Sequence, residues 1–166
     1  MTQSEFNDPT TIRIVTFLRE IGLEIKVAEF HQPTFLPGID VDQGALLVDQ
    51  PKLTYPGDLL HEAGHLAVTP AEKRKRLHGN VGKKASEEMM AIAWSYAAAV
   101  HLELDLAILF HSGGYRGWSE SLIENFTQGR YFGVPMLQWL GLTVDEKRAR
   151  HLRIAPYPTM IRWLLD

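Results

Sequence analysis

The spacing of hydrophobic residues along the chain is mostly helical, with strand-like alternation near the N-terminus. Apolar residues recur every three to four positions after Asp8, which predicts a helix over residues 9–21. Residues 24–30 alternate and are rich in β-branched and aromatic side chains, which predicts a strand. Two short apolar segments at residues 39–42 and 45–49 are separated by a glycine and predict a hairpin.

The helical spacing returns in the second third of the chain. It predicts a helix over residues 59–68, with Asp58 as its N-cap, and a long helix over residues 86–110. The long helix is apolar on nearly every face over its first turns, so we expect it to be buried. Shorter helices are predicted over residues 119–128, 135–140 and 158–165. The pattern predicts an α+β fold that is mainly helical, with a small N-terminal β-sheet.

Composition narrows the classes to which the chain can belong. With 166 residues, 45% of them hydrophobic and 22% charged, the chain fits one globular domain over residues 1–166. It has no cysteine, which excludes disulfides, thiolate metal sites and a thiol nucleophile. A transition metal would therefore need His, Asp or Glu ligands, and the chain has seven histidines.

Charge and hydropathy bear on partners and location. The net charge of −3 argues against a protein that binds nucleic acid mainly through its overall charge. The first eight residues are polar, unlike a secretory signal. The longest strongly apolar run, residues 89–102, is shorter than the ~20 residues that cross a bilayer. We therefore expect a cytoplasmic protein without a membrane span, and its oligomeric state stays open.

One short motif carries the functional argument. His61-Glu62-Ala63-Gly64-His65 has the form HExxH, and it lies within a predicted helix. Residues four apart share one face of a helix, so both imidazoles can reach the same metal ion. Glu62 points to the side, where it can take a proton from water without binding the metal. We expect His61 and His65 to bind Zn²⁺ and Glu62 to act as general base.

A catalytic zinc usually has a third protein ligand. At the spacing of metzincins this ligand would fall at Ala71, which cannot bind metal, so that class is excluded. Glu87 and Glu88 stand at the beginning of the next predicted helix. The helical face of Glu88 continues with small and apolar residues that suit close packing, whereas that of Glu87 reaches polar positions sooner. Periodicity favours Glu88 and leaves Glu87 as the alternative.

Residues 55–99 resemble the gluzincin-like zinc peptidases. The HExxH motif, followed by Glu87-Glu88 at the beginning of an alanine-rich helix, is most similar to the small bacterial ImmA/IrrE-type peptidases. The resemblance implies a zincin-like core in which the HExxH helix packs on a long buried helix. It also implies zinc on His61, His65 and Glu88, with Glu62 as base. The chain from His111 onward matches nothing in that family, and no helix-turn-helix region is present.

A glycine-rich loop after the long helix offers further candidates. His111, Tyr115 and Arg116 lie in it, and side chains of these types often stabilise the oxyanion formed during metal-assisted hydrolysis. We expect Tyr115 or His111 to serve in this way if the loop folds back over the metal. The alternative is an ordinary turn whose polar residues face solvent.

A basic segment joins the two predicted metal-binding helices. Residues 73–76 are all Lys or Arg, and Lys83 and Lys84 follow. Such a run is usually a solvated loop, but it could also contact phosphate or an acidic protein partner.

The sequence as a whole predicts a zinc-dependent hydrolase, and specifically a metallopeptidase with a peptide or protein substrate. The alternative is a metal-binding sensor or interaction module without turnover.

Overall fold

The first helix forms where a proline follows a capping aspartate. In the computed structural model, which describes residues 5–166, α1 spans Pro9–Glu20. The Asp8 carboxylate accepts a hydrogen bond from the backbone N–H of Thr11 at 2.8 Å, so the predicted cap is confirmed. Part of the polar N-terminal segment, residues 1–4, lies outside the described residues.

Three short strands form the sheet. β1 spans Ile25–Val27, β2 spans Ile39–Asp42 and β3 spans Ala45–Val48. The order is β1-β3-β2, with β3 parallel to β1 and antiparallel to β2, so the predicted hairpin is confirmed. β1 is shorter than predicted because the Phe30 backbone N–H binds the Asp49 carboxylate, at 2.9 Å, instead of a strand.

Two helices form the centre of the molecule. α2 spans Asp58–Ala67 and is buried along its whole length, and α4 spans Ala85–His101. The two helices approach closely at Gly64, where an added Cβ would lie 2.9 Å from the carbonyl oxygen of Ala91. This close approach brings side chains of α4 beside those of α2. A one-turn helix, α3 (Ala71–Arg74), lies in the connection between them.

The predicted long helix over residues 86–110 is wrong in its second half. α4 ends at His101, and a separate turn, α5, spans Leu106–Leu109. Glu103 adopts a left-handed conformation with φ 53°, which breaks the helix. The Asp105 carboxylate then accepts a hydrogen bond from the backbone N–H of Ala107 and begins the next helix. A capping aspartate therefore overrides the apolar spacing.

The C-terminal region combines confirmed and corrected elements. α6 (Ser119–Thr127) and α7 (Val134–Trp139) agree with the predicted helices. α8 (Glu146–Leu152), which begins where the Asp145 carboxylate accepts from the Arg148 backbone N–H, was not predicted. The predicted helix over residues 158–165 is wrong, because this segment runs in irregular conformation across the core.

That irregular segment and the preceding Tyr157 are held by hydrogen bonds to the central helices, two of them through side chains. The Trp94 indole N–H donates to the carbonyl of Trp163 at 2.9 Å, and the Leu165 N–H donates to the carbonyl of Ala67 at 2.9 Å. The Tyr157 hydroxyl donates to the carbonyl of Ala93 at 2.8 Å. The segment therefore covers the C-terminal end of α2 and one side of α4.

The fold is α+β and mainly helical, as the hydrophobic pattern predicts. One hydrophobic cluster includes residues from α1, the three strands, α2 and α4. Within residues 5–166, no helix is long and apolar enough to span a membrane.

Candidate metal centre

Three side chains from two helices converge beside the contact of α2 with α4. His61 and His65 lie one turn apart on α2, and their Nε2 atoms are 3.3 Å apart. Glu88, in the first turn of α4, places Oε1 3.1 Å from His61 Nε2 and Oε2 3.1 Å from His65 Nε2. The structure thus brings together the three residues that the sequence favours as metal ligands.

The arrangement fits a metal ion. A tetrahedral site with ligand bonds of 2.0–2.1 Å has ligand-to-ligand distances of about 3.3 Å, close to those seen here. The three residues could together hold a metal ion. Both histidines are buried, whereas the Glu88 side chain is 45% exposed, so one side of the cluster faces solvent. Such an arrangement leaves room for a further ligand from solution.

The geometry also distinguishes between the two glutamates. Glu88 contacts both histidines, whereas the Glu87 carboxylate contacts the backbone at the beginning of its own helix. Glu87 Oε2 accepts a hydrogen bond, at 3.3 Å, from the backbone N–H of Lys84 at the beginning of α4. Glu88 therefore joins the cluster, and Glu87 caps its own helix.

The carboxylate of Glu88 is held in its ionised form. Its burial opposes ionisation, but hydrogen bonds to His61 and His65 outweigh this effect and hold the pKa of Glu88 well below its usual range. An ionised carboxylate beside two imidazoles is the form that a metal cation needs.

Glu62 lies beside the cluster without joining it. Its side chain is buried and shares a small cavity with residues of β2 and of the loop before α4, including Asp40 and Asn80. Burial is the main reason that the pKa of Glu62 rises to about 7, although the neighbouring His65 opposes the rise. The sequence predicts that Glu62 acts as a general base, and in the structure this residue lies near His65 and Glu88.

Tyr115 reaches the cluster from the glycine-rich loop. Its ring stands perpendicular to that of His61, at 5.7 Å between centroids. Its hydroxyl is buried and has no hydrogen-bond partner within residues 5–166. Burial, followed by the charges of Asp58, Glu88 and Glu62, raises the pKa of Tyr115 well above its usual value. The hydroxyl therefore stays neutral and is free to donate a hydrogen bond.

His111 is held differently from Tyr115. Its Nε2 lies 2.6 Å from Asp58 Oδ1, in a pair that is almost fully buried. Its ring stacks on Tyr55 at 3.7 Å between centroids and 4° between planes. The predicted N-cap role of Asp58 is wrong, because Asp58 is already the first residue of α2 and its carboxylate binds His111. Arg116, the third candidate of this loop, is exposed.

Gly82 is a residue of the centre that the sequence analysis missed. An added Cβ there would lie 2.1 Å from Cε1 of His65, so only glycine allows the loop to pack this closely against the imidazole. Its φ of +74° also suits glycine. The signal was a pair of glycines, Gly79 and Gly82, in the connection ahead of α4.

The Nδ1 atoms of His61 and His65 are buried, and neither forms a hydrogen bond with any described residue. Histidine ligands usually donate from this nitrogen to a carboxylate or a carbonyl. The rings are therefore oriented by packing against neighbours such as Gly82 and Tyr115.

Comparisons with protein-family models, with curated proteins and with solved structures found no match to this chain. A function for this chain is therefore inferred from the arrangement of its own side chains. The resemblance of residues 55–99 to ImmA/IrrE-type peptidases stays a prediction.

Proposed function

We propose that this protein is a zinc-dependent hydrolase, and specifically a metallopeptidase that cleaves a peptide or protein substrate. The observation that carries the proposal is the convergence of His61, His65 and Glu88, with Glu62 buried beside them. We also propose that the α2–α4 pair forms a zincin-like core of the ImmA/IrrE type. The close contact of the two helices at Gly64 supports this assignment.

The donor set favours zinc over the common alkaline-earth ions. Two imidazole nitrogens and one carboxylate suit a borderline ion such as Zn²⁺, whereas Ca²⁺ and Mg²⁺ take oxygen ligands. Zinc bound there would supply a Lewis acid that makes water more acidic and polarises a carbonyl oxygen. Catalytic zinc sites keep three protein ligands and one open position, which matches the three residues and the solvent-facing side of this cluster.

The chain itself supplies the groups that move protons and stabilise charge. The Glu62 carboxylate accepts a proton from water as the water oxygen attacks the carbonyl carbon of the substrate. The same proton then passes from Glu62 to the leaving nitrogen as the C–N bond breaks. The Tyr115 hydroxyl, buried and without a partner among the described residues, donates a hydrogen bond to the oxyanion that forms meanwhile.

Replacing Glu62 tests the peptidase against a metal-binding sensor without turnover. We expect Glu62→Gln to retain stoichiometric zinc and to lose turnover by about 100-fold or more, because the base is removed and the ligands are kept. Metal content by mass spectrometry and cleavage of a peptide library measure the two effects. A sensor without turnover predicts unchanged partner binding after this substitution.

The two glutamates at the beginning of α4 provide a matched pair of controls. Glu88→Gln should lose both metal and activity, whereas Glu87→Gln should keep both, because only Glu88 faces the histidines. Wild-type protein that neither contains nor binds zinc would contradict the proposal. So would retained metal in Glu88→Gln.

A further inference from the structure

The loop before α4 places two lysines at one edge of the metal centre. Gly82 lies directly against the imidazole of His65, and Gly79 and Asn80 share a cavity with Glu62. Lys83 and Lys84 follow immediately in the chain and are exposed. These two cations therefore lie one and two positions along the chain from Gly82, the residue that contacts His65.

The glycine-rich loop places an arginine at a second edge. Tyr115 packs against His61, and both Tyr115 and Arg116 adopt left-handed backbone conformations, with φ of 56° and 52°. Such conformations are uncommon outside glycine and cluster at functional sites. Here the turn buries the Tyr115 hydroxyl beside the cluster and leaves the adjacent Arg116 exposed.

These cations have no acidic partner in the part of the chain that the structure describes. Lys83, Lys84 and Arg116, which we call the cationic rim, form no ion pair with any residue among 5–166. The acids nearest to Lys83 and Lys84 in sequence are already engaged, because Glu87 caps α4 and Glu88 contacts the two histidines. The chain as a whole is acidic, so an unpaired cationic rim next to the candidate site is not a consequence of overall charge.

We propose that the substrate is a polypeptide segment with acidic side chains flanking the bond that is cleaved, and that the cationic rim binds them. This inference rests on the proposed peptidase function. With zinc bound, the charge of the ion would balance the carboxylates of Glu62 and Glu88, so the centre itself gives an acidic side chain no advantage. Acidic residues are therefore favoured only beside the cationic rim.

Binding can be measured separately from cleavage. Zinc-loaded Glu62→Gln protein is titrated into two fluorescent peptides of equal length, one with glutamates flanking a central apolar residue and one with glutamines. Each exposed ion pair raises affinity by a few-fold at most. With more than one such pair, we expect the acidic peptide to bind about tenfold tighter than the glutamine peptide at low salt. The difference should shrink at high salt, since exposed charges are screened.

The matched variants remove equal charge from two places. Lys83→Gln/Lys84→Gln/Arg116→Gln, in the Glu62→Gln background, should bind both peptides equally. Lys147→Gln/Arg148→Gln/Arg150→Gln should keep the preference, because these exposed residues lie on α8, which contributes nothing to the site. Circular dichroism confirms that both triple variants fold.

Several outcomes would overturn the inference: equal binding of the two peptides, a preference that survives loss of the rim, or tighter binding of a single-stranded oligonucleotide than of the acidic peptide. The two proposals fail separately. If wild-type protein cleaves both peptides at the same rate, the rim has no role and the peptidase stands. If the acidic peptide binds at the rim but is never cleaved, the peptidase fails and the peptide is no substrate, while acidic-peptide binding at the rim stands.

Discussion

At the scale of single residues, two glycines shape the candidate site as much as the three candidate metal ligands do. Gly82 allows the loop before α4 to press on the imidazole of His65, and Gly114 lies in the same way against His111. Each added Cβ would come within 3 Å of a ring atom. Close packing against glycines therefore helps to orient both histidines, together with the Asp58 and Tyr55 contacts in the case of His111.

Gly82→Ala should disturb the metal centre. We expect weaker zinc binding and a loss of about 1–3 kcal/mol in the free energy of unfolding, because the new methyl group overlaps the His65 ring. Gly79→Ala is the control, since Gly79 also has positive φ but has nothing within 4 Å of an added Cβ. Zinc titration and urea unfolding of both variants measure the difference. Equal zinc affinity in the two variants would contradict the role given to Gly82.

A second residue-scale prediction concerns Asp49. Hydrogen bonding from the Phe30 backbone N–H, aided by Lys52 and opposed by burial, lowers the pKa of Asp49 below 3.8. A lowered pKa in the folded state gives stability that is present above pH 3.8 and lost as the pH falls through the folded value. Asp49→Asn should therefore be less stable than wild type at pH 7, and the difference should narrow in acid.

Urea unfolding at pH 7 and pH 3 tests this dependence. Asp42→Asn serves as the control, because Asp42 ends β2 and pairs with His78 at the surface, with its side chain 57% exposed. A difference between Asp49→Asn and wild type that stays constant with pH would show that the carboxylate charge contributes nothing.

At the scale of elements, local patterns predicted most helices but not their ends. The His61–Glu62–His65 arrangement follows from one helix and its period, and Glu88 follows from the face of another. The break after His101 depends on a left-handed residue and a capping aspartate, which apolar spacing does not report. The Asp58–His111 pair joins residues 53 positions apart, so no local pattern could indicate it.

The contact between α2 and α4 can be tested at Gly64. Without tertiary contacts, Gly64→Ala would stabilise a helix by about 1 kcal/mol. In this protein we expect it to destabilise by about 1–3 kcal/mol and to weaken zinc binding, because the methyl group meets the backbone of Ala91 and separates the helices. Thermal unfolding and zinc titration measure both effects. A more stable variant would show that the contact between α2 and α4 can accommodate a methyl group at position 64.

At the scale of the whole molecule, the last described residues close the core. Trp163 packs its ring against Phe17 and Trp94, with centroid distances of 5.0 and 5.5 Å. Its carbonyl and that of Leu165 accept hydrogen bonds from Trp94 and Arg74. Helix α1 and residues 158–165 therefore meet beside α4, the helix that carries Glu88.

Trp163→Ala tests this closure. We expect a loss of about 2–3 kcal/mol in the free energy of unfolding, because the partly buried indole leaves a cavity between α1 and α4. Trp139→Ala is the matched control, since that indole is 87% exposed and should change stability by no more than about 0.5 kcal/mol. Urea unfolding compares the two variants, and equal losses would show that residues 158–165 contribute little.

The spacing of the three ligands would give a bound ion a mechanical role. Between His65 and Glu88 lie 22 residues, and closing a loop of that length costs about 3 kcal/mol of chain entropy. An ion held by all three would be a cross-link, because α2 and α4 could not separate without releasing it. Local fluctuations that part the two helices would then be suppressed. Amide protons on their facing turns would exchange with solvent only when the whole structure opens.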